Sequence, residues 1–478
     1  MLPLFGTPKP NVLQITPPGL LRTSPCLIQI ARAFLSVDGL RPSPFRASLS
    51  HALGTPVLAP RTTPWPLVAL FTAGYLAPYL LPTVVGRLDS GLPLTPTQAG
   101  AIGSALLLSS ASAGFLLASR VERLGARRLA RTGLLLALLG YGGAALAHAV
   151  PAVVAGVMAG GLGSGTVTAV AATRIAALGA SAPRTGRGSW RTDPHRVTTA
   201  GLLGVSALAG ALYLTVPHLG AGHDRPLAAI ALTALAVWPL TGRLPAAEAT
   251  SGTPAARPAA PLPHRRHGLV LAGCMLLWSL AQNSLWGVSG RIGLEQAHLT
   301  EAAVGVVFAV ALGAGLLGVT GAGALGPRLG RAVPVGGGTV LIAVCIALSA
   351  SATDLTSFAT GEIAWNTLYP IVLSYVIGLA ASLDGRGRWA VLVGSASSLG
   401  TAAGPLTGSV LSAGAGFPVM GVILAAGLLL VAVPLTVVAL GRRTPEPDGS
   451  ADGVEVVSIP LDTAEAAPAA PERLAPAT

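Results

Sequence analysis

The chain has 478 residues, a net charge of +12, 52% hydrophobic residues and only 10% charged ones. A soluble domain carries about 25% charged residues. So low a content cannot cover the surface of a water-soluble protein of this size, which leaves an integral membrane protein with the lipid bilayer as its main partner.

Residues 1–64 are rich in proline, serine and arginine and read as a disordered extension. Within it, 26–37 is apolar but short of the ~20 residues a spanning helix needs. No small-residue cleavage site follows, so a signal peptide is not expected. Twelve apolar segments come next, at 65–86, 98–119, 130–149, 152–174, 197–218, 224–242, 268–289, 302–323, 333–352, 356–380, 389–412 and 417–440. Each is near the length that crosses a ~30 Å hydrocarbon core. Residues 243–267 form a polar, proline-rich connector that divides the spans into six-helix halves, 65–242 and 268–440. The Ala/Pro/acidic tail, 441–478, lacks periodicity and reads as disordered.

Arginine placement sets the orientation. With both termini cytoplasmic, the inside loops hold Arg120, Arg123, Arg127, Arg128 and Arg131, then Arg184, Arg187, Arg191 and Arg196. They also hold Arg243, Arg257, Arg265 and Arg266 in the connector, and Arg328, Arg331, Arg386 and Arg388 in the second half. The outside loops hold only Arg87, Arg225 and Arg291. Positively charged short loops resist translocation, so this split predicts a cytoplasmic membrane protein with both ends inside. Basic charge used this way is no sign of a nucleic-acid partner.

Other chemistries are excluded by what is missing. The only lysine is Lys9, so there is no G-x-x-x-x-G-K-[ST] phosphate loop. Cys26, Cys274 and Cys345 share no spacing pattern, and all eight histidines lie at or beyond span ends. No cofactor, no metal and no enzyme active site are therefore expected.

The chain is internally duplicated. Arg123-Leu124-Gly125, between spans two and three, recurs as Arg328-Leu329-Gly330 between spans eight and nine. Leu94-Thr95 recurs in the same register as Leu299-Thr300, and Gly100 as Gly305. The first loop resembles the G-x-x-x-D-R-x-G-R-R signature of the major facilitator superfamily. Ala118 stands at its first glycine, Glu122 at the acid, then Arg123, Gly125 and Arg127, with Ala126 departing from the usual arginine. The second copy keeps Gly323, Arg328, Gly330 and Arg331 but has Pro327 at the acid. A turn this tight favours glycine at positive φ.

That resemblance implies an all-α membrane fold of twelve helices in two pseudo-symmetric halves. It further implies a cavity between the halves, lined by spans one, four, seven and ten. It also implies that Glu122 latches the cytoplasmic side shut, near Trp389-Ala390 at the start of span eleven; Pro327 makes that latch one-sided.

The candidate pathway residues come from helical spacing. Trp278, Gln282 and Trp286 repeat every four residues in span seven, with Asn283 beside them. Tyr75 and Tyr79 share a face of span one. Trp365, Asn366 and Tyr369 share span ten with Glu362, the one acidic residue deep within a predicted span. A charged carboxylate in hydrocarbon costs several kcal/mol, so Glu362 is expected to face the outer cavity and bind a proton or cation. Asp89, at a loop end, is the alternative coupling group. Gly161-x-Gly163-x-Gly165 reads as close helix packing. Gly400, Gly404, Pro405 and Gly408 in span eleven read as a tightly packed hinge.

The expected function is transport of a small organic solute by alternating access, coupled to protons, by a monomer. An aromatic, charge-poor cavity favours export of an amphipathic compound. Uptake of a metabolite and a non-transporting membrane sensor remain the alternatives.

Overall fold

The computed structural model describes residues 64–180, 193–220, 222–244, 262–325, 330–384 and 387–441. The N-terminal extension with its 26–37 segment, most of the connector, Pro327 and Arg328, and the tail all lie outside the described residues.

The described chain is all helical, with no strand among the described residues. α1 has two limbs, Trp65–Tyr79 and Leu81–Gly91. The rest of the first half is α2 Pro96–Ala118, α3 Ala126–Leu146, α4 Val150–Ala180, α5 Pro194–Thr215 and α6 Asp224–Val237. The second half is α7 Arg265–Arg291, α8 Glu301–Leu325, α9 Gly338–Ala350 and α10 Leu355–Ala381. It closes with one continuous segment, Arg388–Leu440, broken only at Gly416 (φ 79°, ψ 164°). That break separates α11, residues 388–415, from α12, Phe417–Leu440.

Ten of these helices are long and apolar enough to cross a membrane, and the bent pair of α1 limbs makes an eleventh. The twelfth, α11, is rich in Gly, Ser and Thr and fails that test of composition. Its neighbours compensate, since α11 is packed between α7 and α2. Side chains on the outer faces are apolar, among them Phe115, Leu139, Leu317, Leu430 and Val437. That is the inverse of a soluble surface, and it suits lipid.

Local sequence explains the helix ends. Thr95 and Gln98 form a reciprocal capping box on α2, with Pro96 in the first turn. Asp354 caps α10 by accepting from the N–H groups of Ser357 and Thr356, which holds its carboxyl below the usual range. The two signature glycines take positive φ, 88° at Gly125 and 64° at Gly330, as the tight turns require.

Small residues set the interhelical distances. A Cβ on Gly161 or Gly165 would collide with α2 at Ser109 or the Ser110 carbonyl, and one on Gly163 with Ala137 of α3. Gly400, Gly404 and Gly408 meet Leu276, Asn283 and Ser284 of α7 in the same way. The span-eleven run is thus a packing seam. The helix passes through Pro405 unbroken, and the non-helical residue is Gly416. The halves meet along α2 with α11, α5 with α8, and the second limb of α1 with α7.

Gly165→Ala should therefore lower stability by about 1–3 kcal/mol through overpacking. Gly143→Ala, whose Cβ would meet nothing within 4 Å, should be neutral or stabilising. Thermal unfolding of the two variants in detergent measures the contrast; equal melting temperatures would reject the packing account.

Candidate functional site

A cavity of about 380 Å³ lies between the halves. Its wall draws on α1, α4, α7 and α10, as the resemblance implies, and also on α2, α5, α8 and α11. It runs from Pro78 and Tyr79, midway along α1, to Gly114, Thr198, Val319 and Ile377, all within two turns of the helix ends beside the signature turns. The cavity thus reaches the signature end of the bundle and stops short of the far end.

Of the expected pathway residues, Tyr75, Tyr79, Asn283, Trp365, Asn366 and Tyr369 line this cavity. Trp286 joins them. Trp278, Gln282 and Glu362 do not; each is fully buried behind the wall. Trp278 stacks on Tyr369 at 5.2 Å between centroids. Gln282 Oε1 accepts the indole N–H of Trp365 at 2.8 Å. These two buttress wall residues and are screened from the cavity by them.

Glu362 sits in the seam where α10 meets α7 and α9. Its Oε1 accepts from Ser289 Oγ of α7 and Ser349 Oγ of α9, both at 2.7 Å. Its Oε2 is buried without a partner. The expectation of a carboxylate facing the outer cavity is therefore corrected. Helical spacing places Glu362 three residues from Trp365, but the side chain points to the back of α10, towards hydroxyls that sequence alone could not bring there.

The far end is shut by three devices. The first is a kink of 47° between the limbs of α1. Pro82 has no N–H to offer the carbonyl of Pro78. Trp286 Nε1 supplies one from the other half at 3.1 Å. The second is an aromatic plug. Phe308 lies 5.2 Å from Trp286 and 5.0 Å from Tyr213, whose hydroxyl donates to Tyr79 O at 2.7 Å.

The third device is a pair of ion pairs that cross between the halves. Arg87 of α1 reaches Glu301 of α8 at 2.8 Å and also donates to the carbonyls of Val216, Gly220 and Gly222. Arg291 of α7 reaches Asp89 of α1 at 3.3 Å and Glu295 at 2.9 Å. Both guanidinium side chains are nearly buried, at 4% and 10% exposure. Reading Arg87, Asp89 and Arg291 as loop residues was therefore wrong: each lies on a helix, within the last turns of α1 or α7. A signal existed, since arginine on the outside runs against the orientation rule.

At the signature end, Arg127 Nε donates to Leu244 O at 3.1 Å and Arg131 Nε to Thr241 Oγ1 at 3.2 Å, tying α3 to the 3-10 segment Trp238–Arg243 that follows α6 and to its cap. Glu122 and Arg123 are exposed on a short turn, Val121–Leu124. Trp389 is engaged elsewhere: its indole N–H donates to Pro263 O at 2.6 Å and its ring covers Gly268. Arg331 is half-buried, and Gly323 lies in α8. Among the described residues, no group of three or more His, Cys, Asp or Glu converges as a metal site would require. A shallower apolar groove of about 780 Å³ between α9 and α12 faces the lipid.

No known family profile and no curated protein sequence matches the chain. Solved structures do. The human organic anion transporter MFSD10 (TETRAN) matches at 19% identity and a TM-score of 0.54. A point mutant of the nucleoside transporter NupG matches at 13% identity and a TM-score of 0.62. Each comparison covers 78% of this chain and 99% of the other. The chain has the major facilitator fold. The far-end cluster joins the two halves of that fold.

Asp89→Asn should shift the population towards a conformation open at the far end, by about ten-fold, or about 1.4 kcal/mol. Spin labels at the exposed Leu219 and Leu355, in a cysteine-free background, report the separation. The double exchange Asp89→Arg with Arg291→Asp should return the short distance. An unchanged distance distribution in Asp89→Asn would dismiss the ion pair as a closure.

Proposed function

We propose that the chain is a secondary active transporter that exports a small organic solute across the cytoplasmic membrane by alternating access, driven by protons. One observation carries this reading: a solute-sized cavity between two halves, reaching one end and closed at the other by contacts that can separate. The arginine distribution supports an orientation with both termini and the signature turns in the cytoplasm. The cavity in this conformation then takes solute from inside, in keeping with export by a monomer.

The residues divide by role. Tyr75, Tyr79, Asn283, Trp365, Asn366 and Tyr369 contact the solute, and Trp278 and Gln282 hold the wall. Glu362 carries the proton. What supports this is its unclaimed Oε2 at full burial, on the same helix as the wall residues Trp365, Asn366 and Tyr369. A proton arriving there changes how α10 seats against Ser289 and Ser349, and so moves Trp365 and Asn366. Glu122 and its signature arginines form the closure of the cytoplasmic end in the opposite conformation. With the cytoplasmic end open, that closure is disengaged, which accords with the exposure of Glu122.

The test begins with a thermal-shift search for ligands of the purified protein, followed by uptake into proteoliposomes with and without a pH gradient. Glu362→Gln should keep ligand counterflow within a few-fold and lose acceleration by the gradient. Gradient-driven uptake that persists in Glu362→Gln would refute the coupling role, and absence of any counterflow would refute transport.

Glu122→Gln should favour the conformation open at the cytoplasmic end and slow transport several-fold. Normal rates with unaltered label distances at the far end would count against the closure role.

A further inference from the structure

The cavity wall is uncharged and its strongest donors are already committed. Among the described residues, no Asp, Glu, Lys, Arg or His lines it. The two indole N–H groups on the wall point into protein: Trp286 donates to Pro78 O and Trp365 to Gln282 Oε1. Asn283 Nδ2 donates to Ser279 O at 2.9 Å and Thr401 Oγ1 at 3.1 Å. Asn366 Nδ2 donates to Glu362 O at 2.9 Å. A backbone carbonyl can only accept, so these contacts fix which end of each carboxamide is nitrogen. The Oδ1 of each is left over, on two half-buried residues that line the cavity.

The wall hydroxyls repeat the pattern. Thr198, Ser374 and Ser398 donate back to Pro194 O, Pro370 O and Gly394 O, which leaves oxygen lone pairs outward. What is left to donate is the second N–H of Asn366 Nδ2 and flexible hydroxyls such as those of Tyr369 and Ser110, which accept as readily. The cavity is therefore richer in acceptors than in donors, and lined by the rings of Trp286, Trp365 and Tyr369.

From this polarity we infer that the solute is a planar aromatic amine, neutral or monocationic, whose N–H groups donate to Asn283 Oδ1 and Asn366 Oδ1 while its rings lie among the aromatic faces. An anion would enter with no cation and few fixed donors to replace its hydration, which is costly in a low-dielectric site. A cation meets oxygen lone pairs and ring faces, both of which attract it. The inference rests on the transporter reading of the same cavity and adds the chemical class of its cargo.

Three acridines of similar ring size separate the possibilities. Proflavine is a monocation with two primary amines. Acridine orange keeps the ring and the charge but has those amines fully methylated. Acridine-9-carboxylate carries a negative group. Quenching of tryptophan fluorescence in the purified full chain reads binding, because Trp286 and Trp365 line the cavity.

Proflavine should bind saturably, at least ten-fold tighter than acridine orange, and the carboxylate should not saturate. Asn366→Leu and Asn283→Leu should each weaken proflavine about five-fold, the effect of one lost hydrogen bond, and leave acridine orange unchanged. A carboxylate that binds as tightly as proflavine, or methylation without effect, overturns the inference, as does silence towards all three dyes. Spin-label distances across the far end, which need no ligand, score alternating access separately. The inference can thus fail while the transporter reading stands.

Discussion

A cavity inside a two-part bundle exists only if one end is held shut, and here charge does the holding. Arg87 and Arg291 end the first helices of the two halves, and each reaches a carboxylate of the opposite half. Burial of the two guanidinium groups strengthens the pairs, more so for Arg291 with Asp89 than for Arg87, whose partner Glu301 is 39% exposed. On the proposed function, the cluster is complete when the far end is closed and separates when it opens. The Pro78–Trp286 bond adds to this, because the proline kink removes the i+4 donor of the Pro78 carbonyl, which accepts from Leu80 N–H and from Trp286 of the other half.

The same helices that close the far end shape the cavity. α7 carries Trp286 and Asn283 into the wall and Ser289 to Glu362, two turns at most apart. α10 carries Trp365, Asn366 and Tyr369 forward and Glu362 backward. A single buried carboxylate thus shares its scaffold with both wall and closure without touching the cavity. On the proposed function, that arrangement keeps the proton apart from the solute while both act through the position of α10.

The fold was legible because its signals are long and repeated. Apolar periods, arginine alternation and the paired turns at Gly125 and Gly330 each constrain many residues at once. α11 shows how such signals weaken: 389–412 reads as one of twelve apolar segments, although its composition falls short of a membrane span. The wall was partly legible, since spacing puts Trp365, Asn366 and Tyr369 on one helix. It could not say that Gln282 and Trp278 stand one layer behind, because rotation about a helix axis by a few tens of degrees decides lining from buttress. Glu362 was found by its rarity and misplaced in direction for the same reason. Arg87 and Arg291 were set aside as loop residues because the predicted spans stopped one or two residues short of them.

The polar character of α11 bears on how the chain reaches the bilayer at all. A segment so rich in glycine, serine and threonine gains little by leaving water alone, whereas Phe417–Leu440 is among the most apolar stretches of the chain. Only Gly416 separates them. The pair is suited to insert as one hairpin, the second arm drawing in the first, after α2 and α7 are already in place to receive its glycine face.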